Sequence, residues 1–150
     1  MVKRETINDF LACSKIAVVG ASRTGKKFGN NAMNELRKIG YTIFPVNPNA
    51  DEIGGVKCFS SLNQLTEKVE AVLIVVPPNE SMKVVKDAVS AGIKNIWLQQ
   101  GSESSEVISY CNNNGLKAVY GQCILMFAEP AEFFHRAHKW VRGFTGKLPK

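Results

Sequence analysis

The sequence has few cysteines and lacks a long apolar run, and each shortage argues against a class of protein. Four cysteines are scattered along 150 residues with no C-x-x-C pair, which argues against a disulfide framework or a zinc site and for reduced thiols. The best apolar run, AVLIVVPP, has the length of a strand and is much shorter than a membrane-spanning helix. The opening MVKRETINDF contains acids and no apolar core, so it does not predict a signal peptide. We therefore expect a cytoplasmic protein that does not enter a membrane.

The chain also lacks a recognised nucleic-acid motif and any low-complexity tract. Its net charge of +6 suits either a nucleic acid or a small polyanion such as a nucleotide. The basic residues are dispersed, apart from Arg23, Lys26 and Lys27 and the C-terminal stretch 135–150. Without a motif that reads bases, the charge favours a small anionic ligand over DNA or RNA.

What the chain does contain is a repeated joint of a helix-like stretch, a glycine and an apolar run. The glycines are Gly40, Gly92 and Gly115, and each suits the left-handed residue that ends a helix. A β-rich run begins two residues later, which is the helix-to-strand joint of an α/β protein. Since no linker composition divides the chain, we expect residues 1–150 to form one domain.

Two of the expected strands, KIAVVGA and AVLIVV, are almost wholly apolar. Such strands are covered on both faces, as in a parallel sheet between two layers of helices. With right-handed crossovers, the order of elements predicts an α/β fold, a Rossmann-like, doubly wound parallel sheet of about five strands with helices on both faces. Strands are expected at 15–21, 42–46, 71–76, 95–99 and 117–120, and helices at about 4–13, from Phe28, after an N-cap at Asn79, at 104–114 and at 130–143.

Apolar spacing within two of these helices predicts which side chains face the sheet. The inward residues are expected to be Phe28, Met33, Leu36 and Ile39 in the helix that begins at Phe28, and Val84, Val85, Ala88 and Val89 in the helix after Asn79.

Between the second and third strands, only a short extended piece and one or two helical turns are expected.

The loop GASRTGKK directly follows the first strand and has the small, basic composition of a phosphate-binding turn. In this fold, ligands lie beyond the carboxyl ends of the strands, near the point where the strand order reverses. The free N–H groups and the dipole of the next helix favour an anion there. Small residues let the backbone approach the ligand, a serine can donate its hydroxyl, and basic side chains can add charge. The residues expected to do this are Gly20, Ala21 and Ser22, with the charge supplied by Arg23, Lys26 or Lys27.

Two other nucleotide motifs fit this loop poorly. A P-loop needs Ser or Thr after its lysine to hold Mg²⁺, and here that position is Lys27. An NAD site carries G-x-G-x-x-G and an acid closing the second strand, but Asn47 closes it here. Asp51 and Glu52 come later and would have to fold back to reach a ribose. NAD(H) binding stays open as an alternative, as does the possibility that the glycines only make a tight turn.

The strand ends carry a combination of motifs that resembles a known family. G-A-S follows the first strand, V-N-P the second, and W-x-Q-x-G lies at the fourth. In these segments the chain resembles the small stand-alone CoA-binding proteins, which are similar to the N-terminal domain of the succinyl-CoA synthetase α subunit. The similar segments span nearly the whole stretch from Lys15 to Leu125.

The resemblance implies that CoA lies at the carboxyl ends of the strands. The loop from Gly20 to Lys26 would take the diphosphate. Coenzyme A also carries a ribose 3′-phosphate, which an acid closing the second strand would repel and Asn47 would not. The remaining implied contacts are Asn47 and Pro48 beside the adenosine, Val76, Pro77 and Pro78 along the nucleotide and pantetheine cleft, and Gln99 and Gln100 through their amides.

The chain departs from the family pattern after the fifth strand. Many members have an acidic–arginine–cysteine run there, of which only Cys123 matches, whereas Gly121 and Gln122 differ. The phosphohistidine of the synthetase lies in a different domain, without a counterpart in these residues. Cys123 could pair with the CoA thiol as a mixed disulfide, or it is a buried, inert cysteine.

No nucleophile–base pair or metal cluster stands out. His135 and His138 share a helix face, but only Glu132 lies at ligand spacing, which argues against a metal site. The sequence therefore predicts a CoA- or acyl-CoA-binding protein without an evident catalytic centre, acting alone, as a homodimer or with a partner enzyme. The alternatives are an NAD(H)-binding oxidoreductase or redox sensor, and a partner-dependent half of an acyl-CoA ligase.

Overall fold

The computed structural model describes residues 2–65 and 69–127. Over these residues, helices and strands alternate along the chain, apart from three consecutive strands between residues 42 and 57. The elements are α1 (Arg4–Leu11), β1 (Lys15–Val19), α2 (Phe28–Lys38), β2 (Thr42–Val46), β3 (Glu52–Ile53), β4 (Val56–Lys57), a 3₁₀ turn (Leu62–Leu65), β5 (Ala71–Ile74), α3 (Pro78–Ala91), β6 (Asn95–Gln99), α4 (Ser105–Asn113), β7 (Lys117–Gln122) and a second 3₁₀ turn (Ile124–Met126).

Five of the strands form one sheet in the order β2-β1-β5-β6-β7, and every neighbouring pair is parallel. This confirms the predicted doubly wound α/β fold, in the flavodoxin-like version of the strand order. The chain runs from β1 outward to β2 and then returns to the other side of β1 with β5. The order therefore reverses between β1 and β5, and a crevice opens beyond the carboxyl ends of these two strands.

The core is divided by the sheet into two layers. Alternate residues of β1 face opposite sides, so that Ile16 and Val18 join the apolar cluster of α1 and α2, whereas Ala17 joins that of α3 and α4. The largest buried side chain is Trp97. Its ring packs edge-to-face with that of Phe10, with 5.2 Å between the ring centroids. Apolar cover on both faces explains why the strands are apolar at nearly every position.

Several details of the helix predictions are corrected by the structure. Phe28 is exposed because it is the first residue of α2 and lies at the edge of the loop, although Met33 and Leu36 are buried as predicted. The predicted N-cap Asn79 lies inside α3, which begins at Pro78 after a cap at Pro77. A proline tolerates the first helical position because the N–H that it lacks would have no intrahelical partner there. The predicted helix at 130–143, with Glu132, His135 and His138, lies outside the described residues.

The cysteine of α4 gives the folded state a predictable response to alkaline pH. Cys111 is fully buried against the sheet, and burial raises the pKa of its thiol from 9.0 to about 11. The unfolded chain therefore loses this proton before the folded chain does. The resulting stabilisation is complete below pH 9 and is lost as the pH rises through 11. Its full size is about 3 kcal/mol of unfolding free energy.

Chemical denaturation at pH 8, 9, 10 and 11 tests this expectation. The difference in unfolding free energy between the wild type and Cys111→Ala isolates the thiol, because the other titrating groups are common to both proteins. We expect that difference to shrink steadily above pH 9. A difference that stays constant across this range would contradict the assigned pKa.

Candidate functional site

The carboxyl end of β1 meets two other backbones without room for a side chain between them. Gly20 has a φ of 131°, and a Cβ on it would lie 2.2 Å from the Val75 carbonyl oxygen that follows β5. A Cβ on Gly29, in the first turn of α2, would lie 2.6 Å from the Gly20 oxygen. The two glycines therefore let β1, β5 and α2 converge at the switch point, and the loop of residues 20–27 lies over this convergence.

The loop is held by hydrogen bonds to the side chain of Asn30, a residue that was not among those predicted from the sequence. Asn30 is 3% exposed and its Oδ1 accepts the backbone N–H of Ser22 at 2.9 Å and that of Lys27 at 3.3 Å. Its Nδ2 donates to the Ser22 carbonyl oxygen at 2.9 Å. A polar residue at the third position of a helix, on its buried side, is the sequence signal that could have indicated this role.

The loop presents its charge to solvent. Arg23, Lys26 and Lys27 are all exposed, and the ion pairs formed within residues 2–65 and 69–127 involve other lysines. Beside them, the hydroxyls of Ser22 and Thr24 lie 2.9 Å apart in a mutual hydrogen bond. The loop thus offers uncompensated positive charge and hydroxyl groups at the mouth of the crevice, which is the electrostatic setting that an anion requires.

The end of β2 is tied to the same loop. Asn47 donates from Nδ2 to the Ala21 carbonyl oxygen at 3.1 Å, and its Oδ1 accepts the Asn49 N–H at 2.8 Å. Pro48 is exposed and opens onto a groove of about 390 Å³. The groove is lined by Pro48, Ala50, Asp51, Lys57, Cys58, Phe59, Ser60 and Gln64.

The predicted residues on β5 and β6 fall into two groups. Val76 is half-buried, and Pro77 and Pro78 are exposed, at the turn from β5 into α3 beside the glycine contact. Gln99 is buried at the end of β6, where its Oε1 accepts the N–H of Ile124 at 3.0 Å. Gln100 is exposed and donates to the Gly121 carbonyl oxygen at 3.5 Å.

The strand order decides which of these predicted residues lie near one another. The loop 20–27 and Asn47 are in contact, and the turn after β5 adjoins Gly20. The two glutamines lie one strand further along the sheet, on the far side of β5. The loop, the end of β2 and the turn after β5 therefore form one crevice, and β6 contributes to its far margin.

Metal-ligating and thiol side chains were compared across the part of the chain that the structure describes. Residues 2–65 and 69–127 contain no group of three or more His, Cys, Asp or Glu side chains placed to hold a metal ion. Cys13, Cys58 and Cys111 are buried free thiols, and Cys123 is a half-buried one that follows β7. In the same residues, no helix has both the length and the apolarity needed to cross a membrane.

Comparison with known protein families shows which family the chain belongs to. Residues 14–129 match the model of the CoA-binding domain. The chain belongs to the CoA-binding domain family. This match covers the crevice and all five strands of the sheet, and it confirms the resemblance seen in the strand-end motifs.

The relatives include long enzymes as well as short chains. Over 104 residues, 69% of this chain, it is 33% identical to an ADP-forming acetate–CoA ligase of Methanocaldococcus jannaschii, of which it covers 15%. The stretch that matches this chain is a similarly small share, 18% and 15%, of two such ligases from Archaeoglobus fulgidus. A conserved hypothetical protein of Pyrococcus furiosus with 42% identity superposes with a TM-score of 0.72, and the match covers 75% of this chain and 97% of that one. Sequence similar to this chain thus makes up a small part of the ligases and nearly the whole of the Pyrococcus furiosus protein.

Proposed function

We propose that this protein binds coenzyme A or an acyl-CoA, with the diphosphate on the loop of residues 20–27. The observation that carries the proposal is the close convergence of Gly20, Val75 and Gly29, in a chain of the CoA-binding domain family. The convergence brings the start of α2 to the switch point, where a helix N-terminus favours an anion. Arg23 and Lys26 then supply positive charge.

We propose the following positions for the rest of the ligand. The adenosine and its 3′-phosphate lie at the end of β2, beside Asn47 and Pro48, where no carboxylate closes the strand. The pantetheine arm runs along the turn formed by Val76, Pro77 and Pro78 towards β6. Gln100 is the better placed of the two glutamines to donate an amide hydrogen to it, because Gln100 is exposed whereas Gln99 is buried.

A role that depends on a partner is the second candidate. The relatives named as ADP-forming acetate–CoA ligases are several times longer than the stretch they share with this chain. On this hypothesis, the chain holds the CoA or acyl-CoA, and the other steps of an acyl-CoA ligase take place on a separate protein. Co-purification with such a protein and CoA-dependent acyl transfer only in the mixture would be the expected result.

A panel of ligands tests the proposed function by the rise in the unfolding temperature. The panel is CoA, acetyl-CoA, dephospho-CoA, NAD, NADP and ATP at equal concentration. A ligand at about 100 times its Kd stabilises the folded protein by about 2.7 kcal/mol, so that differences in affinity are readily measured. We expect CoA to raise the unfolding temperature most, and dephospho-CoA less, because the latter lacks the 3′-phosphate.

Two variants show whether the ligand lies at the proposed loop. Lys26→Ala should reduce the shift caused by CoA. Lys94→Ala should leave it unchanged, because Lys94 directly precedes β6 and so lies at the amino ends of the strands. A larger shift with NAD than with CoA would instead favour the oxidoreductase alternative. Equal shifts with CoA and dephospho-CoA would show that the 3′-phosphate is not recognised.

A further inference from the structure

The peptide group between Ala21 and Ser22 is held at both of its ends by asparagine side chains. Its carbonyl oxygen, on Ala21, accepts Nδ2 of Asn47 at 3.1 Å. Its N–H, on Ser22, donates to Oδ1 of Asn30 at 2.9 Å. Because a peptide group is planar, fixing the oxygen and the hydrogen together prevents it from rotating between its two Cα atoms.

The two asparagines come from different elements and approach from opposite sides of this peptide. Asn47 follows β2, and Asn30 lies in the first turn of α2. Asn30 also donates from Nδ2 to the Ser22 carbonyl oxygen at 2.9 Å, so it holds the next peptide group as well. Since Asn30 is only 3% exposed, water competes little for these bonds.

We propose that Asn30 and Asn47 act as one unit, an amide clamp, that sets the orientation of the Ala21–Ser22 peptide and thereby of the phosphate-binding loop. They are positioning residues, since both amides are engaged with the backbone. The clamp commits the Ser22 N–H to Asn30. At the start of α2, the first backbone N–H groups that donate to the Lys27 carbonyl oxygen are those of Asn30 and Asn31. The N–H groups of Phe28 and Gly29 come before them in the helix and are left for the anion.

Amide hydrogen exchange at Ser22, followed by NMR, tests the clamp without any ligand. Asn30→Ala removes the acceptor of the Ser22 N–H directly. Asn47→Ala removes only the bond to Ala21, but it should release the same peptide to rotate. In both variants we expect the Ser22 amide to exchange at least about tenfold faster than in the wild type. The matched controls Asn31→Ala and Asn49→Ala, each at an exposed position nearby, should leave this rate within about twofold.

Calorimetric titration with CoA tests what the clamp does, and this part rests on the proposed function. Each single variant should weaken CoA binding by about tenfold, and the double variant by little more than either one, because the second change finds the clamp already open. The ratio of affinities for CoA and dephospho-CoA should not change, since both ligands carry the diphosphate. Far-UV circular dichroism shows whether each variant is folded, since an unfolded fraction would also lower both affinities.

The outcomes separate the two proposals. Unchanged Ser22 exchange in Asn47→Ala would overturn the clamp, whatever happens to CoA binding. Faster exchange with unaltered CoA affinity would overturn the positioning role. Faster exchange in a protein that does not bind CoA in any form would leave the clamp in place and overturn the proposed function. If Asn30→Ala does not fold, Asn47→Ala decides the matter, because Asn47 is half-buried and lies outside the core.

Discussion

Replacing Gly20 by alanine is expected to lower the free energy of unfolding by about 3 to 4 kcal/mol and to abolish ligand binding. The added Cβ would lie 2.2 Å from the Val75 carbonyl oxygen, which is backbone and cannot turn aside as a flexible side chain would. The φ of 131° adds conformational strain for any residue with a Cβ. To relieve the overlap, β1 and β5 must separate where the crevice begins.

Gly25 offers a matched control in the same loop. Its φ is 77°, but a Cβ on it would meet nothing within 4 Å. Gly25→Ala should therefore cost only the strain of the left-handed conformation, about 1 kcal/mol. Urea denaturation measures both variants. Equal losses of stability would show that the contact with Val75 does not decide the packing at this corner.

Replacing Asn47 by aspartate is expected to weaken CoA binding by about a hundredfold, which corresponds to about 3 kcal/mol. Two effects act together. The carboxylate cannot donate to the Ala21 carbonyl oxygen, which the asparagine reaches at 3.1 Å, and the loop loses that support. The new negative charge also closes β2 beside the proposed 3′-phosphate, so dephospho-CoA should lose less affinity than CoA.

Asn49→Asp separates the local effect from a general change in charge. Asn49 is exposed and lies two residues further along the same turn, so this variant adds the same charge without touching the loop. We expect less than about a tenfold loss of CoA affinity, because an exposed charge is screened by solvent and salt. Titration of each ligand at one salt concentration measures the difference. Equal losses for Asn47→Asp and Asn49→Asp would argue against the placement of the adenosine at the end of β2.

Much of the fold could be predicted because it depends on local patterns. The apolar run that contains Leu73 is buried on both faces, as its composition indicated. Gly92 has the left-handed conformation, with a φ of 79°, that ends α3. The errors arose at the ends of elements, where Phe28 was placed by spacing and Asn79 by the preference of its residue type for the N-cap. Whether a side chain in the first turn of a helix faces the sheet or the solvent depends on the angle at which the preceding loop joins the helix. The spacing of apolar residues along the sequence does not determine that angle.

The site was predictable to the extent that the strand ends of a parallel sheet must meet at one edge. That rule brought the loop after β1, the end of β2 and the turn after β5 to the same crevice, and the structure has them there. The sequence did not reveal what the amides of the crevice bind. Asn47 was expected beside the ligand, which stays a prediction, and the structure shows that its amide also supports the loop. Asn30 was not considered at all.

By itself, the sequence determined the alternation of helix and strand, the apolar strands and the glycines that the turns require, because these depend on periodicity and on backbone conformations confined to a few residues. The tertiary structure alone decided the partners of Asn30, Asn47 and Gln99. Their hydrogen bonds join residues 8, 26 and 25 positions apart. An amide side chain can bond to any backbone group within reach, and only the folded chain determines which group that is.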